Sequence, residues 1–111
     1  MKVLQGKTVI VTGGSAGIGR AAALRFAEEG AQVLVTGRRE APLQELADSQ
    51  PNIEYLVADA ARPEDAARAV DAATGRWGRL DILVNNAGAG KVMPLAQANA
   101  QDMADIFAVN V

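Results

Sequence analysis

Five β-branched residues in a row, Thr8-Val9-Ile10-Val11-Thr12, run straight into a glycine-rich segment, Gly13-Gly14-Ser15-Ala16-Gly17-Ile18-Gly19. No other feature constrains the fold as much. A run that is apolar without alternation needs cover on both faces, which is the situation of a strand inside a parallel sheet. The glycines end the run. From Ile18 the spacing turns helical, with Ile18, Ala22 and Phe26 expected on one face and Gly30 as the residue that closes the helix. Strand, glycine loop and helix form the opening of a βαβ unit.

The alternation then repeats. Gln32-Val33-Leu34-Val35-Thr36 reads as a second strand, and Pro42 suits the first turn of a short helix reaching about Asp48. Ile53-Glu54-Tyr55-Leu56-Val57 is a weaker third strand. Pro63-Glu64-Asp65 starts another helix with proline and acids in the first turn; Ala66, Val70 and Ala73 form its apolar stripe, and Gly75 and Gly78 bracket its exit. Leu80-Asp81-Ile82-Leu83-Val84-Asn85 is a fourth strand. After a Gly88-Ala89-Gly90 turn, a last helix is expected from about Ala100 to Val111. Such a pattern predicts a parallel sheet with right-handed crossovers. Ligands in these sheets bind past the carboxyl ends of the strands, so the loops after Thr12, Thr36, Val57 and Val84 are the candidates.

Composition narrows the function. The 111 residues suit one domain, and 50% are apolar, as in a globular, soluble chain. Eleven basic against thirteen acidic residues, a net charge of −2, argue against a general nucleic-acid or anionic-membrane binder. With no cysteine and no histidine, disulfides, thiolate chemistry and an imidazole base are excluded, and no clustered carboxylates suggest a metal. No stretch approaches the roughly 20 apolar residues of a membrane span. The start, Met1 to Lys7, is too short and polar for a secretory signal, so a cytoplasmic address is expected.

The loop after the first strand carries the chemistry. Glycines permit a tight turn and close backbone approach to a phosphate, while the helix N-terminus offers unpaired N–H groups and partial positive charge. The Ser15 hydroxyl is a further donor. The competing reading is a plain connector. No Lys-Ser/Thr pair follows the last glycine, so this is not a Walker A loop.

The spacing is Gly-x-x-x-Gly-x-Gly, at 13, 17 and 19. With Thr12 before it, the segment resembles the signature of the short-chain dehydrogenases/reductases, and Asn85-Asn86-Ala87-Gly88 resembles that family's second signature. The resemblance spans essentially all of the chain. The fold it suggests is α/β: a Rossmann-like parallel sheet of strand order 3-2-1-4 flanked by helices, the truncated half of a doubly wound fold, with residues 1–111 as one dinucleotide-binding domain. It implies that Gly13, Ser15, Ala16, Gly17, Ile18 and Gly19 surround a dinucleotide, that Asp59 and the backbone of Ala60 meet the adenine, and that Asn86, Ala87 and Gly88 lie on the ribose side. It further implies that Asn110 holds a water chain behind a catalytic lysine. Asp59 has the alternative of stabilising only its own turn, and Asn85 and Asn86 that of tying neighbouring loops together.

NAD-preferring domains usually carry a carboxylate at the end of the second strand. Here the stretch reads Val35-Thr36-Gly37-Arg38-Arg39. Two guanidinium groups suit a 2′-phosphate, which favours NADP(H) over NAD(H). Arg38 stands where the family's phosphate contact looks to be; Arg39 is either a second contact or simply solvated.

The expectation is therefore an NADP(H)-dependent oxidoreductase acting on a small-molecule carbonyl or alcohol, with no nucleic-acid or membrane partner. The family's Tyr-x-x-x-Lys is absent: the single tyrosine, Tyr55, is followed four positions on by Asp59. The isolated chain is expected to be inactive. Its fourth strand is expected as an open apolar edge that favours self-association, and family members are commonly dimers or tetramers, so a homo-oligomer is expected. A non-catalytic nucleotide-binding module and a self-associating Rossmann fragment without ligand are the alternatives.

Overall fold

In the computed structural model, residues 3–14 and 17–85 are described, together with the backbone of 91–94. In chain order the elements are β1 (Thr8–Thr12), α1 (Gly17–Glu28), β2 (Gln32–Gly37), α2 (Glu40–Ser49), β3 (Ile53–Val57), α3 (Pro63–Trp77), β4 (Ile82–Asn85) and β5 (Lys91–Pro94). The sheet order is β3-β2-β1-β4-β5. The first four strands are parallel, with Thr12 aligned to Thr36 on one side and to Asn85 on the other. This is the expected Rossmann-like 3-2-1-4 arrangement.

The uninterrupted apolarity of β1 has a direct cause. Alternate side chains enter two separate cores. Val9 and Val11 join Val33, Val35 and Val84 against α1 and α2, which contribute Ala23, Ala27, Leu43 and Leu46. Ile10 joins Leu34 and Leu83 against α3, which contributes Ala66, Ala69, Val70 and Ala73. All five β1 residues are buried. Each such aliphatic side chain stabilises the fold by roughly 1.5–3 kcal/mol, so the central strand anchors both layers. Gly30 closes α1 as expected: its φ is 95°, its N–H donates to Ala27 O, and the Ala31 N–H donates to Phe26 O.

The structure corrects three expectations. The buried face of α1 is Gly19, Ala23 and Ala27, not Ile18, Ala22 and Phe26; Ile18 is 79% exposed. Small residues let the helix lie close on the sheet, with Phe26 half-buried against the core beside that face and Ile18 turned outward. Gly75 lies inside α3, and Gly78 alone, at φ 78°, closes it. Helix α2 runs from Glu40 to Ser49, with Pro42 in its first turn as expected. Finally, β5 pairs antiparallel with β4, Ile82 opposite Pro94 and Asn85 opposite Lys91, so β4 is not an open edge. The edge-driven reason for self-association falls with it. The helix expected from Ala100 to Val111 lies outside the described residues.

Strand β4 starts at Ile82 rather than Leu80 because Asp81 is used as a clamp. Its Oδ2 accepts from the Thr8 N–H (2.9 Å), its Oδ1 accepts from Arg79 Nε (3.1 Å), and the Thr8 hydroxyl donates to Arg79 O (2.7 Å). Burial pushes the Asp81 carboxyl up, but the Arg79 guanidinium and the Thr8 donors outweigh it and hold it below the ordinary value. A carboxyl depressed in the folded state stabilises the fold above the ordinary carboxylate range, and that stability is lost as pH falls through the folded value. Asp81→Asn is therefore expected to lower the urea midpoint at pH 7 and to narrow the gap between midpoints at pH 7 and pH 3. An unchanged gap would show that the clamp does not titrate with folding.

Candidate functional site

Strands β1, β2 and β3 end on one rim of the sheet. Gly13 leaves β1 at φ 66°, and Gly17 begins α1 at φ 60°, both in the left-handed region that side-chain-bearing residues avoid. The Gly14 N–H donates to Thr36 O (3.1 Å) and the Ala58 N–H to Gly37 O (2.9 Å), so the loop backbones are stitched to the neighbouring strand end. Between them opens a cavity of about 520 Å³ lined by Gly13, Thr36, Gly37, Arg38, Arg39, Ala58 and Ala60.

Arg38 and Arg39 are both exposed, and neither has an ion pair or hydrogen bond among the described residues. Their two charges face the cavity, whose lining among the described residues carries no carboxylate. Arg39 is also the N-cap of α2, at φ −114° and ψ 125°, and makes no capping bond. That position normally carries Ser, Thr, Asp or Asn, and forgoing such a cap costs about 0.5–2 kcal/mol.

A second cavity, of about 280 Å³, adjoins the first; it is lined by Arg38, Val57, Ala58, Asp59, Arg62 and Asp65. The Oδ1 of Asp59 accepts from the Ala61 N–H (2.9 Å), so the turn-stabilising role is present, while its Oδ2 accepts no hydrogen bond among the described residues. Asp65, which the sequence reading passed over, holds this turn from below: its Oδ2 accepts from the Asp59 N–H (2.7 Å) and its Oδ1 from Arg68 (3.1 Å). The Asp59 N–H lowers the Asp65 carboxyl below the ordinary value, with Arg68 adding to it against the opposing effect of burial. The signal was an acid on the third residue of a helix whose preceding residue, Arg62, has no side-chain acceptor for a cap.

Asn85 is fully buried at the end of β4, and its Oδ1 accepts from the Thr12 hydroxyl (3.1 Å). It ties the ends of β1 and β4 together, which is the structural alternative weighed for it; its Nδ2 has no partner among the described residues. The structure thus gathers Gly13, Arg38, Arg39 and Ala60 round one cavity and Asp59 round its neighbour. Gly17, Ile18 and Gly19 form the first turn of α1, with Gly19 buried and Ile18 exposed. Ser15, Ala16, Asn86, Ala87, Gly88 and Asn110 lie outside the described residues.

Gly14 has a packing reason that the motif alone did not reveal. A Cβ there would stand 2.9 Å from both Cβ and Cγ1 of Val35. Gly14→Ala is expected to destabilise by about 1–3 kcal/mol through overpacking, read as a lowered thermal midpoint. An unchanged midpoint would mean that the loop shifts freely off β2.

Comparison with known proteins agrees with this geometry. The family model described as short chain dehydrogenase matches residues 7–111. A glucose 1-dehydrogenase of Gluconobacter oxydans is 42% identical over 96% of this chain and 42% of its own length. An uncharacterised oxidoreductase of Mycobacterium tuberculosis is 38% identical over 97% of this chain and 43% of its own. Among solved structures, a 3-ketoacyl-(acyl-carrier-protein) reductase of Brucella melitensis, complexed with NADH, superposes with a TM-score of 0.73 at 38% identity, covering 77% of this chain and 35% of that one. The apo glucose dehydrogenase of Caenorhabditis elegans gives 0.71 at 40% identity, covering 76% and 38%. The chain spans about two fifths of the length of these curated relatives. With the parallel 3-2-1-4 core of the sheet and a family match from residue 7 to residue 111, the chain belongs to the short-chain dehydrogenase/reductase family of oxidoreductases.

Proposed function

We propose that the chain supplies the dinucleotide site of an NADP(H)-dependent oxidoreductase that interconverts a carbonyl and an alcohol on a small molecule. The observation that carries the reading is the cavity of about 520 Å³ at the strand ends, with Arg38 and Arg39 in its wall and no carboxylate there. A 2′-phosphate needs compact positive charge, and guanidinium forks meet phosphate oxygens in pairs. A ribose 2′-hydroxyl would instead call for an acceptor, and this wall has no acidic side chain. NADH in the Brucella relative supports a dinucleotide in this frame; the preference for the phosphorylated form rests on the arginines.

When bound, the nicotinamide would supply or accept a hydride at C4. The chain's own residues bind and orient. Gly13 and Gly17, at positive φ, keep the loop free of side-chain bulk beside the pyrophosphate. The first turn of α1 turns its unpaired N–H groups toward that anion. Asp59 offers its Oδ2 to the adenine amino group while its Oδ1 holds the turn. Ser15, Ala16, Ala60, Asn86, Ala87 and Gly88 complete the site in this reading, and Asn110 holds water near the reacting centre. A cytoplasmic homo-oligomer belongs to the same proposal.

Fluorescence titration tests it: NADPH is expected to bind about tenfold or more tightly than NADH, the worth of one or more charge-assisted bonds. Equal affinities would overturn the cofactor assignment. No binding of either would favour a ligand-free scaffold.

A further inference from the structure

The smaller cavity has a second basic wall that the motifs do not account for. Arg62 lines it together with Arg38, Asp59 and Asp65. Arg62 is the N-cap of α3, at φ −102° and ψ 122°, with no capping hydrogen bond. An arginine there forgoes the cap that Ser, Thr, Asp or Asn would provide, and sets a positive charge against the positive end of the helix dipole. Its ion pair with Glu64 is 3.9 Å long, between side chains 66% and 68% exposed, too loose and solvated to explain the residue. Its charge favours the ionised Asp65 carboxyl, but as the smallest of the effects acting on that group; a residue that breaks the local rule for so small a gain, in the wall of a cavity beside the dinucleotide site, points to a ligand.

The lining says which part of the ligand. Two carboxylates, Asp59 and Asp65, share this cavity, whereas the larger one has none. Here two guanidiniums are balanced by two carboxylates, whereas in the larger cavity two stand unbalanced, so a phosphate is drawn to the larger one. A neutral base is accepted here, since its amino group can donate to Asp59 and its ring offers a face to a planar guanidinium. Resting on the dinucleotide reading above, we propose that Arg62 is a lid on the adenine, stacking on the ring rather than reading the phosphate, so that it sets affinity for NADPH and NADH alike.

Arg62→Ser separates this from a structural role, because serine restores a cap. In the full chain, the variant is expected to raise Tm while weakening NADPH and NADH by the same factor, about threefold to tenfold. Reduced nicotinamide mononucleotide, which lacks adenosine, is expected to bind as before. Arg62→Lys keeps the charge but not the plane, and is expected to restore less than half of the lost binding free energy. Unchanged dinucleotide affinity, a shift in the NADPH/NADH ratio, or full rescue by lysine would overturn the lid. A wild-type chain that binds neither dinucleotide would overturn the underlying reading as well, and is recognised before any variant is made.

Discussion

Replacing Arg38 by aspartate is expected to invert the cofactor preference of this protein, weakening NADPH about 100-fold and leaving NADH equal or improved. The estimate follows from the wall of the larger cavity. Arg38 has no partner among the described residues that would compete for its guanidinium, so its charge is available to a ligand. One or two charge-assisted bonds to a phosphate contribute about 1.5–3 kcal/mol each, and 2.7 kcal/mol is about a factor of 100. A carboxylate in its place repels the 2′-phosphate and accepts from a 2′-hydroxyl, which is why the two cofactors respond in opposite directions. Because Arg38 is exposed, the exchange disturbs no core contact, and the unfolding free energy is expected to stay within about 0.5 kcal/mol of wild type. Parallel titrations with the two reduced cofactors give the ratio directly; an unchanged ratio would remove Arg38 from the site. The same variant distinguishes Arg38 from Arg62, for which a uniform loss is expected.

What could be read from the sequence was what a single element reports about itself. The β1 run announced its own burial, because Val9 and Val11 fill one core and Ile10 the other. The stripe on α3 was legible for the same reason: Ala66, Val70 and Ala73 meet the sheet where their spacing places them. The face of α1 was not. Residues 18, 22 and 26 and residues 19, 23 and 27 share one period, and only the closeness of helix to sheet selects the smaller set. Strand β5 went unread although Lys91 and Pro94 are residues that edge strands carry, because so short a run lacks alternation to mark it. In the site, the arginine pair and the glycine loop were local signals. Asp65 was not, since its partner, the Asp59 N–H, comes into reach only when the chain folds back at the start of α3. The pairing of Asn85 with Thr12, 73 positions apart in sequence, likewise required the β1–β4 register.

Gly17→Val is expected to weaken dinucleotide binding by more than about tenfold while lowering stability by only about 1–2 kcal/mol, and the contrast between the two numbers is the point. A Cβ on Gly17 meets nothing among the described residues within 4 Å, so, unlike Gly14, this position is not closed by their packing. Two reasons for glycine remain. One is the backbone, held at φ 60°, where an L-residue costs roughly 1–2 kcal/mol and a β-branched one is a true outlier. That cost appears in unfolding and is indifferent to ligand. The other is the space itself, open among the described residues and adjacent to the first turn of α1, where unpaired N–H groups await an anion in the proposed site. Two methyl groups there stand between the amides and a phosphate, and a charge-assisted bond lengthened past contact distance forfeits most of its worth. Gly17→Ala separates the terms, since it carries most of the backbone strain with little of the bulk. Binding is expected to fall in the order glycine, alanine, valine, while the loss of stability on going from glycine to alanine exceeds the further loss on going to valine. If valine binds NADPH as glycine does, the loop is a connector between β1 and α1, and the dinucleotide lies elsewhere.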